Sequence, residues 1–370
     1  MVRKYQVRGE GWIMKKRLLK QLLPAAIVSV MLAGCGAGQT STAQTPAESQ
    51  TEESTTAENT SKPYGESREA KDQKDGRGPQ NGKDGGNRNG GARVGDRGGA
   101  NQKVVLTDEQ QALIDATKGK FTQEQYTDSE NGVTLDYSLY IPDNYDESQE
   151  YPLIMFIPDS SAAGKSSEEV LSQYYGADIW ASDEEQEKHA SFVFCPAFSE
   201  TVVDDDFNTS DQIDTAVRVL NELMEKYSID TKRIYTTGQS MGCMTSLYLN
   251  GLYPDLFAAS LFVSGQWDIT TLKPLENAKF FYITCSGDEK ASGGQTEVMN
   301  MLDADGISYS YKEGMDPDAS AEEKDEEINE MLKEGNQANF VRFEGLDHMS
   351  SFNYAYDLGA VRDWLFAQSK

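Results

Sequence analysis

The feature that most constrains the fold is a set of short apolar runs that do not alternate. Leu153-Ile154-Met155-Phe156-Ile157 and Phe192-Val193-Phe194-Cys195 are apolar at every position, and each is followed by a proline. A strand with one face in water is apolar at every second position. A continuous run bounded by a breaker instead predicts a strand buried on both faces, as in a parallel sheet covered by helices on either side. Further runs at 233–237, 260–263, 280–284 and 340–343 are separated by helix-length segments. Between Asp211 and Tyr227, Ile213, Ala216, Val217, Leu220, Leu223 and Met224 recur at helical spacing. Thr107-Asp108-Glu109-Gln110 is a capping-box pattern that opens a short helix through Leu113 and Ile114. Val133, Leu135, Tyr137, Leu139 and Ile141 alternate as in a half-buried strand. Strands interleaved with helices predict an α/β fold with a mostly parallel central sheet and helices on both faces.

Only residues 106–370 can build such a core. From Gly36 to Lys103 the large apolar side chains are Tyr64 and Val94 alone. Ten of the 32 glycines lie between Gly76 and Gly99. Residues 35–105 therefore read as a disordered Ser/Thr/Gly-rich tether, spanning roughly 45 Å as a flexible coil. The net charge of −27 is unevenly spread, at +6 for residues 1–34, zero for 35–105 and −33 for 106–370. A domain so acidic repels phosphate polymers, which excludes nucleic acid as a partner of its surface.

The amino terminus reads as a targeting segment. Lys15, Lys16, Arg17 and Lys20 precede an apolar stretch from Leu22 to Leu32 that is short for a membrane-spanning helix. Leu32-Ala33-Gly34-Cys35 resembles the lipobox of bacterial lipoproteins, with Met14 a natural start. That resemblance implies a signal peptide over 1–34, a diacylated Cys35 and an extracytoplasmic protein anchored to the cell membrane by lipid.

The chemistry lies in Gly238-Gln239-Ser240-Met241-Gly242, a G-x-S-x-G set between a β-rich run and a helical pattern. A strand-to-helix turn of this kind holds its serine in strained backbone geometry and presents the hydroxyl at the sheet edge. Serine at its ordinary pKa is a weak nucleophile and needs a histidine base, which a carboxylate orients. The sequence has two histidines. His189 precedes the 192–195 strand, whereas His348 follows the last strand, so His348 is the candidate base. Asp288 ends an apolar strand between the two and is the candidate acid. Asp268, one strand earlier, and Asp347, adjoining the histidine, are its competitors. The residue after the serine in such a turn, Met241, is a candidate oxyanion donor through its backbone N–H.

With those residues in hand, the stretch from about Gly132 to Trp364 resembles the α/β-hydrolase superfamily, in particular bacterial esterases near polyhydroxybutyrate-depolymerase-like and feruloyl-esterase-like enzymes. Arg233-Ile234-Tyr235, the G-x-S-x-G set, Ser286-Gly287-Asp288, Asp347-His348 and the approach from Trp180 to His189 carry the resemblance. It implies acyl transfer to Ser240 and then to water, with no cofactor and no metal, on a small-molecule or polymeric ester. A prolyl-oligopeptidase-like peptidase is the alternative enzyme, and a surface binding protein that has lost turnover is the alternative outside enzymes. One departure bears on that choice. The family's His-Gly-x-Gly loop is replaced by Pro158-Asp159-Ser160-Ser161; the resemblance implies the Ser160 backbone N–H as the second oxyanion donor, and the replacement brings a carboxylate to the place where negative charge develops.

Gln239 and Trp267 are the candidate substrate contacts, with a packing role the equal alternative for Trp267. Cys195, Cys243 and Cys285 match no zinc spacing and read as buried small hydrophobes, with a disulfide between two of them left open. Asp204-Asp205-Asp206 with Asn208 offers oxygen ligands but lacks EF-hand spacing, so a solvated acidic loop is the simpler reading. Ser320 caps a helix carrying Ile328, Met331 and Leu332 on one face. That helix either walls the pocket or lies on the surface with one buried stripe.

Overall fold

A computed structural model describes residues 106–370 apart from Tyr174. The expectations for the signal peptide, Cys35 and the tether lie outside the described residues. Nine strands form one sheet: β1 (Thr122–Thr127), β2 (Thr134–Tyr140), β3 (Tyr151–Ile157), β4 (Phe192–Ala197), β5 (Ile229–Gln239), β6 (Ala259–Val263), β7 (Phe280–Cys285), β8 (Tyr309–Met315) and β9 (Ala338–Phe343). Their spatial order is β1-β2-β4-β3-β5-β6-β7-β9-β8. The β1/β2 and β2/β4 pairs are antiparallel and all others are parallel. From β4 to β8, therefore, every strand ends at the same edge.

The non-alternating runs are explained by two cores, one on each face. Leu153, Met155 and Ile157 of β3 enter one cluster, and Ile154 and Phe156 enter the other. The first face is covered by α4 (Gln212–Lys226), α5 (Met241–Leu252) and α6 (Glu289–Ala304). The second is covered by α1 (Asp108–Thr117), α2 (Ser167–Leu171), α7 (Ala321–Leu332), α8 (Ser351–Asp357) and α9 (Gly359–Phe366), with α3 (Asp183–Lys188) beside them. Thr107 and Ser320 cap α1 and α7 with full capping boxes. Helix α7 buries Ile328 and Met331 in the second core, so it is the surface helix with one buried stripe rather than a pocket wall.

Two expectations change. β4 does not stop at Pro196 but runs through it to Ala197. Its pairing with β3 ends at Phe194, so the absent proline N–H removes no donor from that side. β1 and β8 lack the apolar runs that mark the interior strands, because both lie at sheet edges with much of their length solvated. Cys195, Cys243 and Cys285 are all free and buried. Among the described residues no helix is long and apolar enough to cross a membrane.

Candidate active site

Ser240 sits where β5 gives way to α5, with φ 51° and ψ −117°, a conformation that side-chain-bearing residues rarely adopt. Its N–H donates to the Val263 carbonyl at 3.0 Å, and its own carbonyl accepts the Met244 N–H at 2.9 Å. The flanking glycines are required by close approach. A Cβ on Gly242 would stand 1.9 Å from the Ile157 carbonyl oxygen, and one on Gly238 would stand 2.6 Å from the same atom. The backbone at the end of β3 thus lies directly against the turn that carries the serine.

His348 follows β9, and its Nε2 lies 2.8 Å from Ser240 Oγ. Its Nδ1 lies 2.5 Å from Oδ2 of Asp288, which follows β7. Asp288 is buried, and its other oxygen accepts the Ala291 N–H at 3.1 Å, capping α6. One oxygen is committed to the helix and the other is left for the imidazole. The competitors are engaged elsewhere, Asp268 with Thr270 and Asp347 with Ser350. His189 pairs with Asp363 at 2.9 Å and stacks on Phe366.

The loop bearing His348 is stitched to its neighbours. Gly287 N–H donates to the Leu346 carbonyl at 3.0 Å, and Gly345 N–H donates to Ser286 Oγ at 2.7 Å. Ser351 Oγ donates to the His348 carbonyl at 2.8 Å and lies 2.5 Å from Ser264 Oγ. Ser264, at φ 47°, is itself held outside the usual backbone regions. Cys285 is more than the buried apolar residue its sequence context suggests, since its thiol donates to the Asp347 carbonyl at 3.0 Å. Burial, and then the negative charge of Asp288, push that thiol up to about 12, so it stays protonated and able to donate. Sequence reasoning missed Ser264, Ser351 and Cys285 as supports. The one local signal is that Ser264 and Cys285 stand at or just beyond the ends of apolar strands.

Asp159, the residue that cast doubt on an oxyanion site, is 3% exposed and fully engaged. Oδ1 accepts from Ser161 N–H at 2.8 Å and Ser161 Oγ at 2.5 Å, and Oδ2 accepts from Gln239 Nε2 at 3.1 Å. Asp159 caps the short 3-10 turn Ser160–Ala162. Ser160 and Met241 open that turn and α5, so neither N–H has an acceptor within its own element.

The two expected substrate contacts are corrected. Gln239 is 0% exposed and its amide nitrogen donates to Asp159, so it braces the loop rather than meeting a ligand. Trp267 is 4% exposed, packed edge-on against Tyr248 and Phe207. Asp204 of the acidic run bonds Asn208, and Asp205 pairs with Lys290. A shallow groove of about 520 Å³ at Val133, Ser199, Thr209 and Gln212 includes none of Ser240, Asp288 and His348.

No family model matches the chain, and no curated protein matches it either. Among solved structures, a thermostable esterase is similar at 20% identity and a TM-score of 0.56, covering 69% of this chain and 64% of its own. A feruloyl esterase module from Clostridium thermocellum, complexed with sinapinate, is similar at 16% identity and a TM-score of 0.47, covering 66% and 87%. An acylaminoacyl peptidase from Pyrococcus horikoshii is similar at 13% identity and a TM-score of 0.42, covering 66% and 41%. The likeness to the first, of which the chain spans less than two thirds, together with the sheet order described above, shows that residues 106–370 have the α/β-hydrolase fold.

Proposed function

From that fold as the premise, we propose that the protein is a serine hydrolase that cleaves ester bonds through an acyl-enzyme. The observation that carries the reading is the continuous relay from Ser240 Oγ to His348 Nε2 and from His348 Nδ1 to Asp288 Oδ2. Ser240 Oγ attacks the ester carbonyl carbon while its proton passes to His348 Nε2. Asp288 keeps the other ring nitrogen protonated and stabilises the imidazolium that forms. The tetrahedral intermediate places a negative oxygen against the Met241 and Ser160 N–H groups. As it collapses, His348 returns the proton to the departing alcohol. Water then repeats the sequence on the acyl-enzyme, releasing the acid and restoring Ser240.

The reading of the chain as a binding protein that has lost turnover rested on a carboxylate loose in the oxyanion site. That support weakens once both Asp159 oxygens are held by Ser161 and Gln239. The lipobox-like Leu32-Ala33-Gly34-Cys35 supports a further part of the proposal, that the enzyme works outside the cytoplasm on a lipid anchor. Two acyl chains hold a protein at a membrane where one is marginal. Cys35→Ala is expected to release it into the medium, and unchanged membrane retention overturns the anchor.

A fluorophosphonate probe tests the chemistry. One adduct per chain is expected on Ser240, abolished by Ser240→Ala and sharply reduced by His348→Ala. No adduct on folded protein rejects the proposal. A panel of simple esters and peptides is expected to show turnover of the esters, and cleavage of peptides alone would favour the peptidase.

A further inference from the structure

Phe207, Ser240 and Ser264 are the side-chain-bearing residues with positive φ among the described residues. Two belong to the site already described. Phe207, at φ 61°, lies in the loop between β4 and α4, and a bulky side chain in that conformation is a true outlier. It is also 41% exposed, one of two exposed large hydrophobic side chains among the described residues. Both the strain and the exposure oppose stability.

The position of this loop gives them a use. The Val203↔Thr209 bridge closes it into a short excursion tipped by Asp204–Asn208. At the tip, Phe207 meets Trp267 edge-on with centroids 5.2 Å apart, and Asp205 pairs with Lys290. Trp267 follows β6 and lies two residues beyond Gly265, which is packed so tightly on the serine turn that a Cβ there would be 2.8 Å from the Ser240 carbonyl. Lys290 lies two residues beyond Asp288. The strand order puts β3 and β5 between β4 and β6. At about 4.8 Å per strand, the loop spans roughly 14 Å across the carboxyl ends of β3 and β5, where the Asp159 turn and Ser240 stand.

We infer that Phe207, backed by Trp267, grips a flat apolar group of the ester as it lies beside Ser240. The inference rests on the serine-hydrolase reading above. Trp267 is too buried to meet a ligand itself, and it fixes the ring that does. Asp204, Asp205 and Asp206 precede Phe207 in the loop and outnumber the one cation paired with them, Lys290, so the tip is negative and an anionic substituent is disfavoured.

Vinyl benzoate against vinyl acetate, and benzyl acetate against methyl acetate, place a flat group on the acyl or the alcohol side. In Phe207→Ala the kcat/KM ratio is expected to fall about three- to tenfold for at least one pair, chiefly through KM, and to be restored in Phe207→Tyr. Phe207→Gly is expected to show the same loss with a Tm at or above that of the wild type, because glycine relieves the backbone strain. Both ratios staying within twofold of wild type in an actively hydrolysing Phe207→Ala protein overturn this inference and leave the hydrolase reading standing. A wild-type protein that takes no fluorophosphonate adduct and turns over neither pair overturns both.

Discussion

The loops on the two sides of Ser240 are held by different means. Those after β5, β6, β7 and β9 are tied together largely through main chain: Ser240 to Val263, Ser264 to Ile283, Ser286 to Phe343 and Gly287 to Leu346. The segments after β3 and β4 are longer and depend more on side chains, beside main-chain bonds such as that from Gly164 N–H to the Phe198 carbonyl. Asp159 grips Ser161 and Gln239, Asp178 accepts from Thr117 at 2.7 Å, Asp205 holds Lys290, and Phe207 rests on Trp267. Main-chain bonds survive most substitutions, so trimming the few side chains that add to them, Ser264, Ser286, Ser351 and Cys285, leaves most of that scaffold in place. A side-chain scaffold can be altered by degrees, as substrate selection by Phe207 would require.

The sharpest way to break that contrast is at the triad. Asp288→Asn should leave the fold intact and lower kcat about 10⁴-fold, roughly 5 kcal/mol, because an amide stabilises the wrong imidazole tautomer. An activity loss below tenfold would return the role to another carboxylate. Gly242→Ala should cost on the order of 4 kcal/mol or abolish folding, since the new methyl collides with the Ile157 carbonyl. Thermal melts and soluble yield read this, and a melting temperature within a degree or two of wild type would show that the turn can move.

On the side-chain-held half the effects should be smaller. Asp159→Ala removes the cap of the Ser160 turn and strands the Gln239 amide, so kcat should fall about 10²-fold, comparable to losing one oxyanion donor. A faster enzyme would instead mean that the carboxylate opposes the transition state.

The last effect concerns stability alone. Burial raises Asp178 from 3.8 to about 7 in the folded protein. Below about pH 4 it is protonated in both folded and unfolded chains. Between there and pH 7 the folded chain keeps a proton that the unfolded chain has lost, so stability falls as pH rises. Denaturant melts should show a decline of about 3 kcal/mol from pH 4 to 7 that Asp178→Asn flattens. Matching slopes in the two proteins would place the carboxylate in contact with water.

Much of this was legible in the chain. The apolar runs became β3 to β7 and β9 because strands buried on both faces leave no polar alternation to confuse them. Ser240, Asp288 and His348 were legible because each sits at or just beyond the carboxyl end of such a strand. Gln239 was misread because its place beside the nucleophile says nothing about which way an amide turns at a strand end. Phe207 passed unnoticed because one phenylalanine among aspartates in a loop has no periodicity.

The sequence by itself determined the layering of the domain, the turn that carries the serine and the order of its partners. These follow from hydrophobic periodicity and turn chemistry, which act over a few residues. Tertiary structure alone decided that Asp268 and Asp347 turn away from the imidazole, where Asp159 spends its charge, and that a loop from β4 crosses to β6 and β7. The physical reason is that doubly buried strands all read alike. Their lateral order, and so the company their loops keep, comes from how helices on two faces pack rather than from any pattern within a strand.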